Sequence, residues 1–169
     1  METGYRLLCS RCFNEKIAAR GRLDFQHVQF EPLTMRDGAG AAHGFHFRVH
    51  LLGDRVAINA FELKDGEPRG FEFQLLDAAE TDLFALMARL IGRMRRGLAL
   101  RHLTIETGRL HIADRVARGR IERDAYEDDS VPLLVIDGRE IPWAEFGRML
   151  MSFEGWQITL EIHDRSAEI

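Results

Sequence analysis

The chain has 169 residues, 46% of them apolar and 30% charged, and a formal net charge of −4. This balance is typical of a globular protein with a sizeable core, and the acidic net charge argues against nucleic acid as a partner. The chain contains no run of about 18 apolar residues, so no membrane span is expected. Because the start METGYRLLC does not resemble a secretory signal, we expect a cytoplasmic protein with reduced thiols.

The chain's two cysteines, Cys9 and Cys12, lie three positions apart near the amino terminus, in CSRC. The stretch FNEKIAAR that follows predicts a short helix ending before Gly21. Two cysteines cannot build a disulfide scaffold, so this pair is a metal-ligand pair, a redox pair or two ordinary buried thiols. We treat residues 1–25 as one segment, a C-x-x-C knuckle with its helix.

An antiparallel meander is predicted over residues 26–76, where apolar and polar residues alternate. Its best hairpin joins FHFRVHLL to RVAINAFEL through Gly53-Asp54, a pair that suits a two-residue turn. The stretch HVQFEPLTM predicts a strand before this hairpin, at an edge of the sheet because it contains Pro32, and GFEFQLL predicts another after it. The predicted register places Leu51 opposite Val56, Val49 opposite Ile58 and Phe47 opposite Ala60.

The other face of this hairpin is polar, and we expect it to meet water or a partner. It carries His46, Arg48, His50 and Asn59. A small ligand could bind on this open face, with Arg48, Asn59 and Phe61 as the candidate contacts. A sheet covered on one side only also favours a homo-oligomer, because a face or an edge would otherwise stay exposed.

The clearest helix lies within residues 77–100, where apolar residues recur at helical spacing and Asp77 with Glu80 resembles a capping box. The pattern of residues 101–125 is ambiguous, and two short strands around Thr107-Gly108 and Gly119 are one interpretation of it. VPLLVI predicts a buried strand with its turn at Asp137-Gly138, and WQITLEIHD predicts a closing strand. A second helix is predicted over 142–153. Its inward face is expected to consist of Trp143, Phe146, Leu150 and Phe153.

No linker interrupts the chain, so the sequence predicts a single domain over residues 1–169. Its fold class is α+β: an antiparallel sheet, built as a meander of hairpins, packs against two main helices on one side. The C-x-x-C knuckle lies at the amino-terminal edge of that domain.

Cys9 and Cys12 could form half of a structural zinc site, which needs four ligands. Since no second C-x-x-C follows, histidines or a second chain would have to complete the site. His43 lies at the mouth of the predicted hairpin and His27 begins the strand before it. These two histidines are the candidate further ligands.

A thioredoxin-like thiol–disulfide oxidoreductase is the alternative. A first cysteine at the start of a helix would have a lowered pKa, which suits redox chemistry. The stretch SVPLLVIDG resembles the strand of thioredoxin-like folds whose proline is cis and faces the two cysteines, a role that Pro132 would take. The hairpins predicted between these two stretches do not fit that fold.

Three stretches resemble a family of uncharacterised bacterial proteins over nearly the whole chain: the start CSRCFNEKIAAR, the middle FHFRVHLLGDRVAINAFEL and the finish VIDGREIPWAEFGRMLMSFEGWQITLEI. The resemblance implies a bacterial cytoplasmic protein and no particular activity. The residues themselves favour a non-catalytic binding or adaptor protein with an unknown protein partner and a zinc knuckle. The oxidoreductase and the small-ligand binder are the two alternatives.

Overall fold

The computed structural model describes residues 7–127 and 130–167. Its helices are α1 (Ser10–Gly21), α2 (Leu83–Ala99) and α3 (Trp143–Leu150). Its strands are β1 (Leu33–Arg36), β2 (Ala42–Leu52), β3 (Arg55–Lys64), β4 (Glu67–Ala78), β5 (Leu103–Glu106), β6 (Arg109–Ile112), β7 (Gly119–Arg123), β8 (Pro132–Ile136) and β9 (Arg139–Pro142). The predicted α+β class is confirmed. None of the described helices is long and apolar enough to cross a membrane.

The first sheet is an antiparallel meander in the order β1-β2-β3-β4, with β1 at an edge as Pro32 predicted. The β2–β3 hairpin turns at Gly53, whose φ of 65° lies in the left-handed region that glycine adopts without strain. The predicted hairpin register is confirmed: Leu51 pairs with Val56, Val49 with Ile58 and Phe47 with Ala60. The polar residues of β2 and β3 therefore share the opposite face.

Helix α2 covers the apolar face of this sheet with Leu86, Leu90, Met94 and Leu98, all nearly inaccessible to water. The helix begins at Asp82, whose carboxylate accepts hydrogen bonds from the backbone N–H groups of Phe84 and Ala85. The predicted capping box of Asp77 and Glu80 is wrong, because Asp77 still lies in β4. Asp82 lies closer to the first apolar turn and satisfies two of its free N–H groups.

The rest of the chain builds two smaller antiparallel sheets, β5-β6 and β7-β8-β9. The predicted turn at Asp137-Gly138 is confirmed, and the ambiguous stretch before it forms a hairpin that turns at Thr107-Gly108. A second buried cluster lies here, separate from the first. It consists of Leu103, Ile136, Ile141 and Met149.

Three predictions about this half are wrong. Helix α3 packs on β6, β8 and β9 whereas α2 packs on β3 and β4, so the two helices do not share one sheet. The fully buried side chain of α3 is Met149, which was not predicted, and Trp143 is 48% exposed, whereas Phe146 does pack against the second cluster as predicted. The predicted closing strand WQITLEIHD pairs with no strand among the described residues, and its apolar side chains point into solvent.

Contacts along β4 join the two halves. The guanidinium of Arg120 on β7 donates to the carbonyl of Gly70 at 3.3 Å, and Phe71 lies against Gly138 in the β8–β9 turn. A side chain at Gly138 would place its Cβ 2.7 Å from the Phe71 ring, so glycine permits this close approach. The carboxylate of Asp137 accepts from the backbone N–H groups of His102 and Leu103, both at 2.8 Å.

Candidate functional site: an exposed dithiol at the start of α1

Both cysteines lie at the first turn of α1, and both are reduced and exposed. Cys9 is the residue that caps the helix, and its sulfur accepts a hydrogen bond from the backbone N–H of Cys12 at 3.4 Å. The prediction of a thiol at a helix start is therefore confirmed, whereas burial of the two thiols is wrong. An exposed pair can reach a metal ion, an oxidant or a partner's side chain.

The two thiols have unequal acidity. The backbone N–H of Cys12 donates to the sulfur of Cys9 and holds the pKa of Cys9 below its usual value of 9.0. The pKa of Cys12 is raised, first by its own side-chain hydrogen bond to Cys9 and then by the charge on Cys9. Cys9 is therefore the thiol that ionises first and the stronger candidate ligand or nucleophile.

Helix α1 packs on the sheet through Ala18, a member of the first buried cluster, and through Asn14, whose side chain is fully buried. Its amide nitrogen donates to the carbonyl of Val49 and its amide oxygen accepts from the N–H of Leu51, each at 2.8 Å. Strand β1 pairs with β2 only at residues 42–45, so Asn14 completes the backbone pairing farther along β2. The dithiol is thus held at a defined place on the sheet edge.

His27 lies beside this anchor, with Nδ1 2.9 Å from the amide nitrogen of Asn14. Burial and the nearby charge of Arg11 lower the pKa of His27, so the ring stays neutral, as a metal ligand must be. The prediction that His27 begins a strand is wrong, because β1 begins only at Leu33. A zinc ion would have to reach His27 through Nε2.

His43 is occupied by two carboxylates. Its Nδ1 lies 2.8 Å from Glu62 and its Nε2 lies 3.0 Å from Asp37. Burial by itself would lower the pKa of His43, but the bonds to Asp37 and Glu62 outweigh it, so that the pKa is raised. His43 as a zinc ligand stays a prediction, and binding would require breaking one of these two contacts.

The described residues contain no ready-made group of three or more cysteine, histidine or acidic side chains able to hold a metal ion. Cys9 and Cys12 therefore stand as a pair in this structure, and the further ligands predicted from the sequence are not gathered around them.

Pro132 begins β8 in the second half of the chain, and the peptide bond before it is trans. The predicted cis proline is therefore wrong. All strand pairs among the described residues are antiparallel, unlike the mixed sheet of thioredoxin-like folds. The redox hypothesis is therefore supported only by the exposed pair of Cys9 and Cys12.

The open face of the first sheet does bring Arg48, Asn59 and Phe61 together. The guanidinium of Arg48 lies 5.1 Å from the centre of the Phe61 ring, and Asn59 accepts a hydrogen bond from Gln74 at 2.8 Å. Part of this face meets α1, where Phe13 contacts His50. A ligand would compete with the contact between Arg48 and Phe61 and with the hydrogen bond between Asn59 and Gln74.

Two clefts, of about 250 and 160 Å³, lie elsewhere. One is formed by the segment after α1 and the start of α2, and the other lies where the two buried clusters meet. Small-molecule sites usually have about 300–1,000 Å³. Neither of these two clefts includes Arg48, Asn59 or Phe61, so the small-ligand hypothesis stays a prediction.

Sequence reasoning missed Asn14 and Glu62, although each left a signal. Asparagine is a poor helix former, so its place in the interior of α1 indicates a specific contact. Glu62 follows Val56, Ile58 and Ala60 at a spacing of two, which places it on the core face and calls for a buried partner.

Two protein families match parts of the chain. Residues 26–99 match a domain of unknown function (DUF7686), and residues 102–167 match a second domain of unknown function (DUF7713). No curated protein and no solved structure matches the chain. The two matched ranges meet where α2 ends, and the second buried cluster lies wholly within the later range. Neither description assigns an activity, which agrees with the resemblance to an uncharacterised family.

Proposed function

We propose that the chain is a non-catalytic binding protein that uses Cys9 and Cys12 as half of a tetrahedral zinc site, in a reducing compartment such as the cytoplasm. The observation that carries the proposal is the pair of exposed, reduced thiols at the first turn of a helix fixed to the sheet by Asn14. The remaining ligands come from the histidines predicted from the sequence or from a second copy of this chain, so the purified protein can hold the ion.

The chemistry of the pair supports zinc. The x2 spacing is that of zinc knuckles, in which two thiolates bind one ion. The lowered pKa of Cys9 favours the thiolate form that a metal requires, and zinc would lower the pKa of Cys12 in turn. Because the fixed helix positions both thiols before the ion arrives, little ordering is left to oppose binding.

Metal content of the purified protein tests this proposal. We expect about one zinc per chain or per dimer after equilibration with zinc and dialysis, measured by mass spectrometry of the metal, and its loss in Cys9→Ser and in Cys12→Ser. Ser10→Ala is the matched control, because it changes the residue between the cysteines and keeps both thiols. Wild-type protein that retains no zinc would refute the zinc site.

Further variants identify the other ligands. If the wild type retains zinc and His27→Gln does not, His27 is one of the ligands. Loss of zinc in His43→Gln would confirm the second histidine predicted from the sequence. Zinc held equally well by both variants assigns the remaining ligands to a second chain.

A thiol–disulfide exchange protein is the second candidate, favoured by the opposite pKa shifts of the two thiols. In such a protein the Cys9 thiolate attacks a substrate disulfide, forming a mixed disulfide and releasing the first substrate thiol. Cys12 then attacks the sulfur of Cys9 and releases the second substrate thiol, which leaves a Cys9–Cys12 disulfide. Thiol counting across a series of glutathione redox buffers tests it. Reversible loss of both thiols at a defined potential, in protein free of zinc, would favour this candidate over the first.

A further inference from the structure

The tail segment, residues 156–163, is the most exposed apolar stretch in the second half of the chain. Trp156, Ile158, Leu160 and Ile162 are 62%, 73%, 78% and 73% exposed. The segment belongs to no helix or strand. Its apolar residues alternate with polar ones, so in an extended strand all four would share one face. Such a stretch normally covers or is covered by something.

Both ends of the tail segment are attached to the protein body. At the start, the ring of Trp156 lies 5.8 Å from that of Phe153, and the guanidinium of Arg115 also lies 5.8 Å from the Trp156 ring. Just beyond the end, Arg165 pairs with Glu72 on β4, and the carbonyl of Ser166 accepts from Arg93 on α2 at 3.3 Å. The tail segment is therefore held at both ends, with its apolar side chains exposed between these two attachments.

Strand β4, which the end of the tail segment contacts through Arg165, already uses part of its outer edge. The carbonyl of Gly70 accepts from Arg120 and the carbonyl of Gln74 accepts from Arg93, so these arginines occupy two of the groups with which an added strand would pair. Among the described residues no strand pairs with the tail segment, and its apolar side chains are exposed, so its backbone and its apolar face are open to another molecule.

We propose that the tail segment pairs antiparallel with the tail segment of a second copy of this chain, about a two-fold axis through Thr159. A homodimer axis makes the same surface face itself, so the segment must complement its own reverse. With the axis at Thr159, Trp156 faces Ile162 of the second copy and Ile158 faces Leu160. An axis moved to residue 158 or 160 leaves Ile162 opposite Glu154 or Trp156 opposite Asp164.

Within the tail segment, polar pairing agrees with this register: Gln157 lies opposite Glu161, and Thr159 lies opposite its own copy, a favourable cross-strand pair. Just outside the segment Glu154 lies opposite Asp164, so the pairing ends where these two carboxylates meet. The four apolar side chains supply on the order of 300 Å² per chain. A standard interface buries about 800 Å² per partner. We therefore expect a reversible dimer that dissociates on dilution rather than a permanent one.

Sedimentation equilibrium at a series of protein concentrations tests the dimer, with chelator present throughout so that no metal bridge contributes. We expect reversible dimerisation of the wild type. Ile158→Lys and Leu160→Glu should each raise the dimer dissociation constant about tenfold or more, because each places a charge against an apolar side chain. Leu52→Lys, on an exposed residue of the β2–β3 hairpin, is the matched control and should leave the constant unchanged.

An equal mixture of the two single variants tests the register. In the proposed pairing, the lysine that replaces Ile158 faces the glutamate that replaces Leu160 in the other chain, so the mixture should dimerise more tightly than either variant alone. With the axis at residue 158 or 160 these two charges do not meet. A mixture no tighter than its components would overturn the register.

A monomer at every concentration, or a dimer unaffected by both tail-segment variants, would overturn the proposal. Loss of the dimer in Ile121→Lys, with no effect of Ile158→Lys, would move the interface to the edge strand β7, where Ile121 is 59% exposed. Because chelator is present, these outcomes do not depend on whether Cys9 and Cys12 bind zinc.

Discussion

The side-chain amide of Asn14 pairs with the backbone of Leu51 as a neighbouring strand would. Its oxygen accepts the N–H of Leu51 while its nitrogen donates to the carbonyl of Val49, two residues earlier on the same strand. An amide carries one acceptor and one donor group side by side, so it matches this edge of β2. Asn14 thereby adds two backbone hydrogen bonds to the apolar contacts by which the dithiol helix packs on the sheet.

Asn14→Ala should destabilise the protein by about 2–4 kcal/mol, because the buried N–H of Leu51 and carbonyl of Val49 both lose their partner. Urea unfolding measured by circular dichroism gives this difference. Asn59→Ala is the matched control: it removes one hydrogen bond at a half-buried position, from Gln74, and should cost less than about 1 kcal/mol. Equal losses in the two variants would contradict the role assigned to Asn14.

The first half of the fold was predictable because its forces are local. Alternation along β2 and β3, together with the turn at Gly53, determined the hairpin register, and the apolar stripe of α2 determined which face it covers. The tail segment was wrongly predicted to be a strand because only its local pattern can be read from the sequence. Its alternation is that of a strand, but pairing needs a vacant edge, and sequence periodicity does not show that arginines cover part of the edge of β4.

The site was predictable only in part. The spacing of Cys9 and Cys12 and the start of a helix were readable, and so was the lowered pKa of a thiol placed there. The environment of His43 was not, because Asp37 and Glu62 reach it through the β1–β2 turn and across the β2–β3 pair. Which histidine is free for a metal depends on such tertiary contacts.

Alkylation rates should distinguish the two thiols. In metal-free protein, iodoacetamide should modify Cys9 before Cys12 as the pH is raised, because only the thiolate reacts and the pKa of Cys9 is lowered while that of Cys12 is raised. Peptide mass spectrometry at a series of pH values measures both rates.

Single variants separate the causes of these pKa shifts. In Cys12→Ser, Cys9 should keep its early reaction, because the main cause of its lowered pKa is the backbone N–H of residue 12, which remains. In Cys9→Ser, Cys12 should react at lower pH than in the wild type, since the thiolate that raised its pKa is gone. Unchanged behaviour of Cys12 would show that the two thiols do not interact.

The cluster of Asp37, His43 and Glu62 should stabilise the protein less as the pH rises above 6.5, the usual pKa of histidine. Folding raises the pKa of His43, so its contribution is fully present below the usual value of 6.5 and is lost as the pH rises through the folded value. Folding lowers the pKa of Asp37, so its contribution is present above 3.8 and is lost on acidification. The cluster is therefore most stabilising between about pH 4 and 6.5.

Urea midpoints of the wild type and of His43→Gln isolate this effect. They should be measured from about pH 5 to 8, a range that brackets the usual histidine pKa. The stability difference between them should shrink as the pH rises. His50→Gln is the control of opposite sign, because burial and the charge of Arg48 lower the pKa of His50, so that its ring opposes folding below 6.5. A difference for His43→Gln that is flat with pH would exclude a charged His43 from the fold.

Asp137 connects the β8–β9 turn to the start of β5, and Asp137→Ala should therefore destabilise the second half of the protein. The substitution removes an ionised acceptor from the N–H groups of His102 and Leu103, at a cost of about 2 kcal/mol. It also places alanine at a φ of 51°, where aspartate is better tolerated.

Asp65→Ala measures this backbone cost separately, because Asp65 has a φ of 54° in the similar exposed turn between β3 and β4. Asp137→Asn should retain most of the stability, since an amide oxygen can still accept. If Asp65→Ala and Asp137→Ala lower the urea midpoint equally, the hydrogen bonds to β5 contribute nothing beyond the turn itself.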